Sequence, residues 1–161
     1  MCIRDSLYPS EIVSLGLVQQ NVGRRPITWS ITAGRGYAGL GDYVVQAGLG
    51  FSLGTAPPDS NDSRLDFRRL ASAPLDVPVT ERLVFDTYRY ANLLDAGALD
   101  LEPTARSVAA SLALPPVQLV YAYQGRNNRK AMERALRYAE ALSPNPDLRA
   151  ALLDLLYRPA E

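Results

Sequence analysis

The sequence predicts a mainly α-helical chain of the α+β class, in which a small two-stranded sheet with flanking helices is followed by a helical array. Two short segments, 27–33 and 49–53, alternate apolar residues with small or polar ones, as half-buried strands do. Beyond residue 79 the apolar residues recur at helical spacing. The segment 55–63, TAPPDSNDS, lies between the two patterns and predicts a loop, because its composition cannot bury apolar surface.

Residues 7–54 are predicted to form a helix-strand-helix-strand unit. Ser10 is a favourable capping residue, and the apolar spacing that follows it predicts a helix ending near residues 21–23. In the segment 27–33 the odd-numbered residues are apolar and share one face, and Pro26 stands at the start of the strand. This segment is the clearest strand in the sequence.

The remaining elements follow from turn residues and periodicity. A short helix is predicted at residues 40–46, and the second strand at 49–53 completes the first unit. Residues 55–78 are predicted to be a loop or linker, since they contain several prolines and polar residues. Residues 79–161 are predicted to be helical throughout, with Thr80 as the cap of the first helix.

Three further helical segments are predicted in this region. Residues 102–123 form one run, and Pro115-Pro116 either kinks it or divides it in two. After a turn at residues 125–127, an apolar stripe predicts a second helix, and a similar stripe at 148–156 predicts a last one. A tetratricopeptide-like unit is approximated by a set of spaced residues: Tyr121, Gly125, Ala131, Ala135 and Pro144.

Composition excludes several classes of function. The 161 residues include 17 basic and 17 acidic side chains, so no excess of charge draws the chain to nucleic acid. There is no histidine, which is the commonest general base and metal ligand, and Cys2 is the single cysteine. No segment approaches the roughly 18 apolar residues of a membrane span. The acidic pairs Asp59 with Asp62 and Asp95 with Asp100 lie in polar segments and are interpreted as solvated, so no catalytic or metal-binding residue is predicted.

The glycine pattern Gly34-x-Gly36-x-x-Gly39 follows a predicted strand, as it does in dinucleotide-binding proteins. That fold requires a long crossover helix and continued alternation of strands and helices. Neither is indicated after this pattern, so a plain turn is the preferred interpretation and no cofactor is predicted. A nucleotide-binding enzyme that uses this loop is kept as an alternative.

Residues 1–6, MCIRDS, resemble the peptide produced when a sequencing adaptor is translated, and they are left out of the fold prediction. The alternative is a genuine six-residue tail. On the first interpretation the natural sequence starts inside a gene near Leu7. The strand at 27–33 is then expected to pair in the parent protein with an upstream strand, which leaves an exposed edge and part of Trp29 uncovered.

Short motifs in a fixed order carry a resemblance to a known family. They are RPITW at 25–29, GLGDY at 39–43, GLGFSL at 48–53 and YRYANL at 88–93. This order resembles the C-terminal soluble region of a bacterial membrane family, domain of unknown function 2723, which is related to protein O-mannosyltransferases of the GT-C fold. The matching residues are Arg25, Pro26, Trp29, Gly39, Asp42, Tyr43, Gly48, Tyr88, Arg89 and Asn92.

The resemblance implies a non-catalytic extracytoplasmic domain of a lipid-linked-sugar protein O-glycosyltransferase-like membrane protein of the bacterial inner membrane. The implied role is acceptor recognition or scaffolding, with the protein's own upstream transmembrane region and acceptor proteins as partners. The sequence departs from the family where Thr28 precedes Trp29 and where Pro115-Pro116 interrupts a helix. A free-standing helical protein-protein interaction domain is the first alternative, and the nucleotide-binding enzyme is the second.

Overall fold

A computed structural model describes residues 9–33, 37, 39–68, 73–90, 93–94, 101–143, 145, 147 and 154. In these ranges a mixed sheet is followed by a helical hairpin, which confirms the predicted combination of a sheet with helices. In chain order the elements are α1 (Pro9–Asn21), β1 (Thr28–Ser30), a 3-10 turn (Ile31–Ala33), a second 3-10 turn (Gly41–Tyr43), β2 (Val44–Ala47), β3 (Gly50–Leu53), β4 (Leu65–Asp66), β5 (Leu75–Asp76), α2 (Val77–Arg82), a π-helical turn (Leu83–Thr87), α3 (Pro103–Gln124) and α4 (Arg129–Leu142).

The described part of the sheet has five strands in the order β1-β3-β2-β5-β4. β3 is antiparallel to both β1 and β2, β4 is antiparallel to β5, and β2 is parallel to β5. The prediction of a two-stranded sheet is therefore wrong. The two strands that the sequence predicts are β1 and β3, and three more lie on the far side of β3.

The three additional strands escape prediction for physical reasons. β2 occupies much of the segment 40–46, where the sequence predicts a helix, and only Gly41–Tyr43 forms a helical turn. Its two adjacent valines favour extended backbone, and so short a helix is not stable by itself. β4 and β5 have two residues each and lie inside the predicted loop 55–78. Strands of this length show no periodicity, because they are defined by their partners.

Several predictions for the first 63 residues are confirmed. α1 has the predicted position, although it begins at Pro9 and so includes the predicted cap Ser10, and residues 55–63 contain neither helix nor strand. β1 is shorter than predicted because Ile31–Ala33 turns into a 3-10 conformation, yet the side chains from 27 to 32 alternate between half-buried and exposed. β1 pairs with β3 alone among the described strands, so its predicted edge position is confirmed.

The start of the helical half differs from the prediction. Asp76, not Thr80, caps α2, because its carboxylate accepts a hydrogen bond from the backbone N–H of Val79 at 3.0 Å. Thr80 lies inside α2, is fully buried, and uses its hydroxyl oxygen to accept the N–H of Gly48 at 3.0 Å. A threonine that resembles a helix cap thus joins α2 to the sheet.

α3 and α4 form an antiparallel hairpin around the predicted turn, in which Asn127 adopts a left-handed conformation (φ 51°). α3 is one continuous helix through Pro115-Pro116, both of them fully buried, so close packing offsets the lost backbone hydrogen bonds. The hairpin is confirmed, but a tetratricopeptide-like array is not. Apart from Asp154, the last predicted helix at 148–156 lies outside the described residues.

Two apolar clusters form the interior of the described structure. The larger lies between α2, α3, α4 and β5 and includes Leu119, Ala135 and Leu142, which are fully buried. The smaller lies on one face of the sheet, where Val44 and Phe51 pack with Tyr37. The β2–β3 turn lies between the two clusters and connects them.

This turn is held by main-chain and side-chain hydrogen bonds. Gly48 has a left-handed backbone (φ 56°), and a Cβ at this position would lie 2.5 Å from the Tyr88 hydroxyl and 3.0 Å from Leu83. The Tyr88 hydroxyl in turn accepts the N–H of Leu49 at 3.1 Å. Glycine is therefore required here both by backbone conformation and by space.

A buried amide pair supports the same region. The side chain of Gln46 donates to the Gln118 carbonyl oxygen at 2.7 Å, and Gln118 donates back to Gln46 at 2.8 Å. Gln46 also donates to the backbone oxygen of Gly48 at 3.1 Å. Both side chains are buried, so the side-chain oxygen of each amide depends on the other amide for its hydrogen bond.

Substituting Gly48→Ala is expected to lower the free energy of unfolding by about 2–4 kcal/mol, since it adds steric conflict to an unfavourable backbone conformation. Gly23→Ala is the matched control. Gly23 has a similar φ of 75°, but its Cβ would meet nothing within 4 Å, so a loss of only about 1 kcal/mol is expected. Urea unfolding of both variants gives the comparison, and equal losses would show that packing at the turn contributes nothing.

Gln118→Met is expected to lower the free energy of unfolding by about 1–3 kcal/mol, because it leaves the buried side-chain oxygen of Gln46 without its donor. The double variant Q46M/Q118M should lose less unfolding free energy than the two single variants lose in sum, since it removes both amides together. Gln20→Met, at an exposed position on α1, should change stability by less than about 0.5 kcal/mol. Strict additivity of Q46M and Q118M in a thermal or urea double-mutant cycle would contradict the pairing.

Candidate functional site

The residues that carry the family resemblance fall into separate groups. Gly48 and Tyr88 are 40 positions apart in the sequence and meet at the β2–β3 turn, where the tyrosine hydroxyl covers the glycine. Arg25, Pro26 and Arg89 are exposed. Asn92 lies outside the described residues. The structure therefore brings one pair of motif residues together and assigns it a structural position.

Of the other motif residues, Trp29 packs against the smaller apolar cluster, and Gly39, Asp42 and Tyr43 lie in the chain that leads into β2. The Trp29 ring meets the edge of Tyr37 at 5.7 Å between centroids, and Tyr37 meets Phe51 at 5.4 Å. Gly39 has φ 80°, and Asp42 is exposed on the 3-10 turn that follows. These residues shape the chain between β1 and β2.

The glycine pattern does not lead into a nucleotide-binding helix. Gly34 and Gly36 lie outside the described residues, and Gly39 lies in a turn. Next come one turn of 3-10 helix and then β2, which runs antiparallel to β3. A phosphate-binding loop of the dinucleotide type opens a crossover helix between parallel strands, and the chain has a hairpin at this place.

The acidic residues of the loop are bonded locally. Asp62 accepts a bidentate hydrogen bond from Arg64, which lowers the pKa of this carboxyl to about 2. Asp59 accepts the N–H of Asn61 at 2.9 Å. Asp95 and Asp100 lie outside the described residues. In the described ranges, no group of three or more aspartate, glutamate, histidine or cysteine side chains is placed to hold a metal ion.

Two tyrosine hydroxyls, those of Tyr90 and Tyr123, are buried without a hydrogen-bond partner among the described residues. Burial raises the pKa of both phenols, and the Glu81 carboxylate raises that of Tyr123 further. Both remain protonated at any ordinary pH. Neither lines a described groove.

An ion pair that the sequence analysis does not identify closes the end of α3. Arg68 makes a bidentate contact with Asp66, at 2.7 Å for the shorter bond, and donates to the backbone oxygen of Ala122 at 3.0 Å. Its guanidinium lies directly over Gly125, so a side chain at this position would displace it. The spacing Asp-x-Arg occurs at 62–64 and again at 66–68, and this repetition is the signal that sequence analysis could have used.

The strongest candidate for a functional surface is apolar. α1 exposes Val13 (63%) and Leu17 (58%), and Val22 (43%) follows directly after the helix. Beside them a groove of about 440 Å³ runs between α1 and the 3-10 turn, lined by Val18, Leu40 and Leu53 among others. We call this surface the α1 face. Exposed apolar groups that adjoin each other in this way are typical of interaction sites.

The free edge of β1 adjoins the α1 face along the chain. Thr28 and Ser30 are exposed, and both belong to the segment 26–34, which contains no charged residue. In the described part of the sheet no strand pairs with this edge. Edge strands normally carry charges, prolines or bulges that prevent pairing, and here only Pro26 stands at one end.

Comparison with known protein families, with curated proteins and with solved structures finds no significant match. The family resemblance therefore stays a prediction. None of the helices in the described ranges combines the length and the apolar character that a bilayer crossing requires.

The Asp66–Arg68 contact predicts a dependence of stability on pH. Although burial alone raises the pKa of Asp66, the hydrogen bonds from Arg68 and the positive charges of Arg68 and Arg126 together outweigh it and lower the pKa below the ordinary value of about 3.9. The contact therefore stabilises the fold fully above the unfolded pKa and is lost as pH falls through the folded one. In Asp66→Asn the free energy of unfolding should therefore decrease less steeply below about pH 4 than it does in the unsubstituted protein. Part of this decrease should persist in the variant, because Asp62 also takes up a proton in the acidic range.

Asp86→Asn, at an exposed position, controls for the loss of one negative charge. Urea unfolding at a series of pH values between about 2 and 7 gives the comparison. A profile for D66N that parallels the unsubstituted protein throughout would contradict the assigned role of Asp66.

Proposed function

We propose that this chain is a non-catalytic extracytoplasmic domain of a lipid-linked-sugar protein O-glycosyltransferase-like membrane protein. In this proposal the parent transfers a sugar from a polyprenyl phosphate carrier to a protein hydroxyl at the periplasmic side of the bacterial inner membrane. The domain acts as a scaffold or in acceptor recognition, and the membrane region carries the chemistry. The order of the motifs between residues 25 and 93 supports the family, and the α1 face supports a binding role.

The observation that carries the binding role is the exposure of α1. A helix on the surface of a globular protein normally turns apolar residues inward and polar residues outward. In α1 the residues Val13 and Leu17 point outward, and Glu11 is the single charged residue of the helix. Covering two such side chains contributes up to about 1.5–3 kcal/mol each, enough to hold a tethered domain against its neighbour.

The occupant that this proposal assigns to the α1 face is the upstream transmembrane region of the same protein. An apolar surface with little charge suits a partner whose loops and helix ends lie at a membrane interface. A tethered partner also requires little intrinsic affinity, because its effective concentration is high. The role as a scaffold follows directly from such a contact.

The gene that encodes the chain provides the first test. Several apolar spans of about 20 residues each are expected upstream of Leu7. A start codon immediately before this position would instead favour the free-standing helical interaction domain. Specific retention of the purified chain on a nucleotide resin would favour the nucleotide-binding enzyme.

The second test uses hydrogen exchange at α1. In the full-length protein the amides of α1 should exchange at least about 10-fold more slowly than in the isolated chain, because docking protects them. The double variant V13D/L17D should return the exchange to the rate in the isolated chain. Val108→Asp is the matched control, since Val108 is 57% exposed on α3, away from the α1 face.

The isolated chain with V13D/L17D shows whether α1 itself still forms. If α1 exchanges equally fast in the full-length protein and in the isolated chain, the α1 face is not a docking site.

A further inference from the structure

We propose that β1 pairs with the β1 strand of a second copy of this chain, antiparallel and centred on Trp29, so that the sheets of the two copies become one continuous sheet. This proposal concerns the free edge of β1 and does not rest on the function proposed above. It replaces the upstream strand that the sequence analysis expects at this edge, since the same main-chain groups cannot pair with both. It names a partner for main-chain groups that no described strand of the chain itself uses.

The direction of the main-chain groups defines the edge. Ile27 accepts the N–H of Leu53 at 3.0 Å, and Ile31 donates to the oxygen of Leu49 at 2.9 Å. Trp29 lies between them, opposite Phe51. Odd-numbered residues of β1 therefore bond to β3, and the N–H and C=O groups of the even-numbered residues point to the free edge.

The free groups belong to Thr28 and Ser30, and they suit a two-fold arrangement. In an antiparallel pair centred on Trp29, Thr28 of each copy lies opposite Ser30 of the other. Each of these two pairs exchanges two hydrogen bonds, so four main-chain bonds join the copies. The Thr28 and Ser30 side chains, both exposed, lie on the outer face of the joined sheet.

The limits of the free segment favour a second copy over an unrelated peptide. Pro26 has no N–H to offer on one side, and the chain turns into a 3-10 conformation at Ile31–Ala33 on the other. The usable edge is thus nearly symmetric about Trp29, and a strand with the same limits matches it in one register. An unrelated extended peptide would gain nothing from this symmetry.

Charge places no obstacle to this pairing. The paired residues 28–30 are uncharged, and so is the whole segment 26–34. Like charges directly opposite one another would weaken the pairing, and here there are none.

Trp29 gives the pairing a further contact and a signal. Its ring is half-buried, with its edge contact to Tyr37 on the inner side. In the two-fold register the two Trp29 residues form a non-hydrogen-bonded pair, in which opposite side chains come closest together. Ring-to-ring contact then covers the part of each indole that one copy leaves exposed.

Trp29 is the only tryptophan among the 161 residues, so every tryptophan signal reports on the centre of this contact. Sedimentation should show the mass rising from 17.6 kDa toward twice that value as concentration increases, in a range of about 10 µM to 1 mM that suits so short an interface. Over the same range circular dichroism should develop the paired bands of two coupled indoles, and the fluorescence of Trp29 should change in parallel.

Two variants and one control test whether the two copies meet at the free edge of β1. Ser30→Lys puts a charge on the free edge, and Ser30→Pro removes an outward N–H without adding charge; each should weaken association at least 10-fold. Ser107→Lys is the control, because Ser107 is exposed on α3 and lies outside the sheet. It should leave association unchanged. Thermal unfolding of all three shows that the monomer still folds.

A single species of 17.6 kDa at every concentration, with an unchanged Trp29 signal, would overturn the proposal and leave the edge open or covered by another segment of the same chain. A rise in mass that S30K and S30P do not affect would also overturn it, since the copies would then associate through another surface.

Discussion

The buried amide pair of Gln46 and Gln118 is the side-chain contact that joins the centre of the sheet to the helical hairpin. The backbone N–H of Gln46 donates to the oxygen of Pro74 at 2.8 Å, while its side chain bonds to α3. A single residue of β2 therefore connects the strand to its parallel neighbour and to the helical hairpin. Because an unpaired amide in the interior costs about 1–3 kcal/mol, the pair also fixes the register of β2. A slip of one residue would turn Gln46 outward and bring Val45 inside.

The position of this contact decides which surfaces are free. Thr80 and Tyr88 hold the β2–β3 turn against the helical half. β2 and β5 therefore lie against the helical half, and β1 lies two strands away from β2. The same arrangement leaves α1 next to the open end of the sheet, with Val13 and Leu17 outward. The free surfaces are thus a consequence of where the interior forms.

Local patterns made a large part of the fold predictable from the sequence. The alternation through β1 and β3, the apolar stripe of α4, and the glycine and asparagine of the turn at 125–127 are local signals, and the structure agrees with them. β4 and β5 have no such signal, because a segment of two residues is a strand only through its pairing with another segment of the chain. Pro115-Pro116 shows the reverse case: proline disfavours the interior of a helix, yet α3 continues through both residues because they are closely packed.

The candidate site was less predictable than the fold, for the same reason. The sequence marks Gly48 and Tyr88 as motif residues, but their contact depends on how α2 meets the sheet. The exposure of Val13 and Leu17 could not be read from α1, since an apolar helix of this length is equally compatible with a buried position. The role of Arg68 depends on the end of α3, 54 residues further on at Ala122.

The two free surfaces differ in the kind of contact they can make. Main-chain pairing at β1 is directional, so it specifies orientation and register, while each hydrogen bond contributes only about 0.5–1.5 kcal/mol. Contact at the α1 face is undirected and scales with the apolar area that is covered, so it contributes free energy with little geometric constraint. Pairing at the edge is therefore suited to an identical strand, which supplies the matching register. The α1 face is suited to a tethered neighbour, whose geometry the rest of the protein already sets.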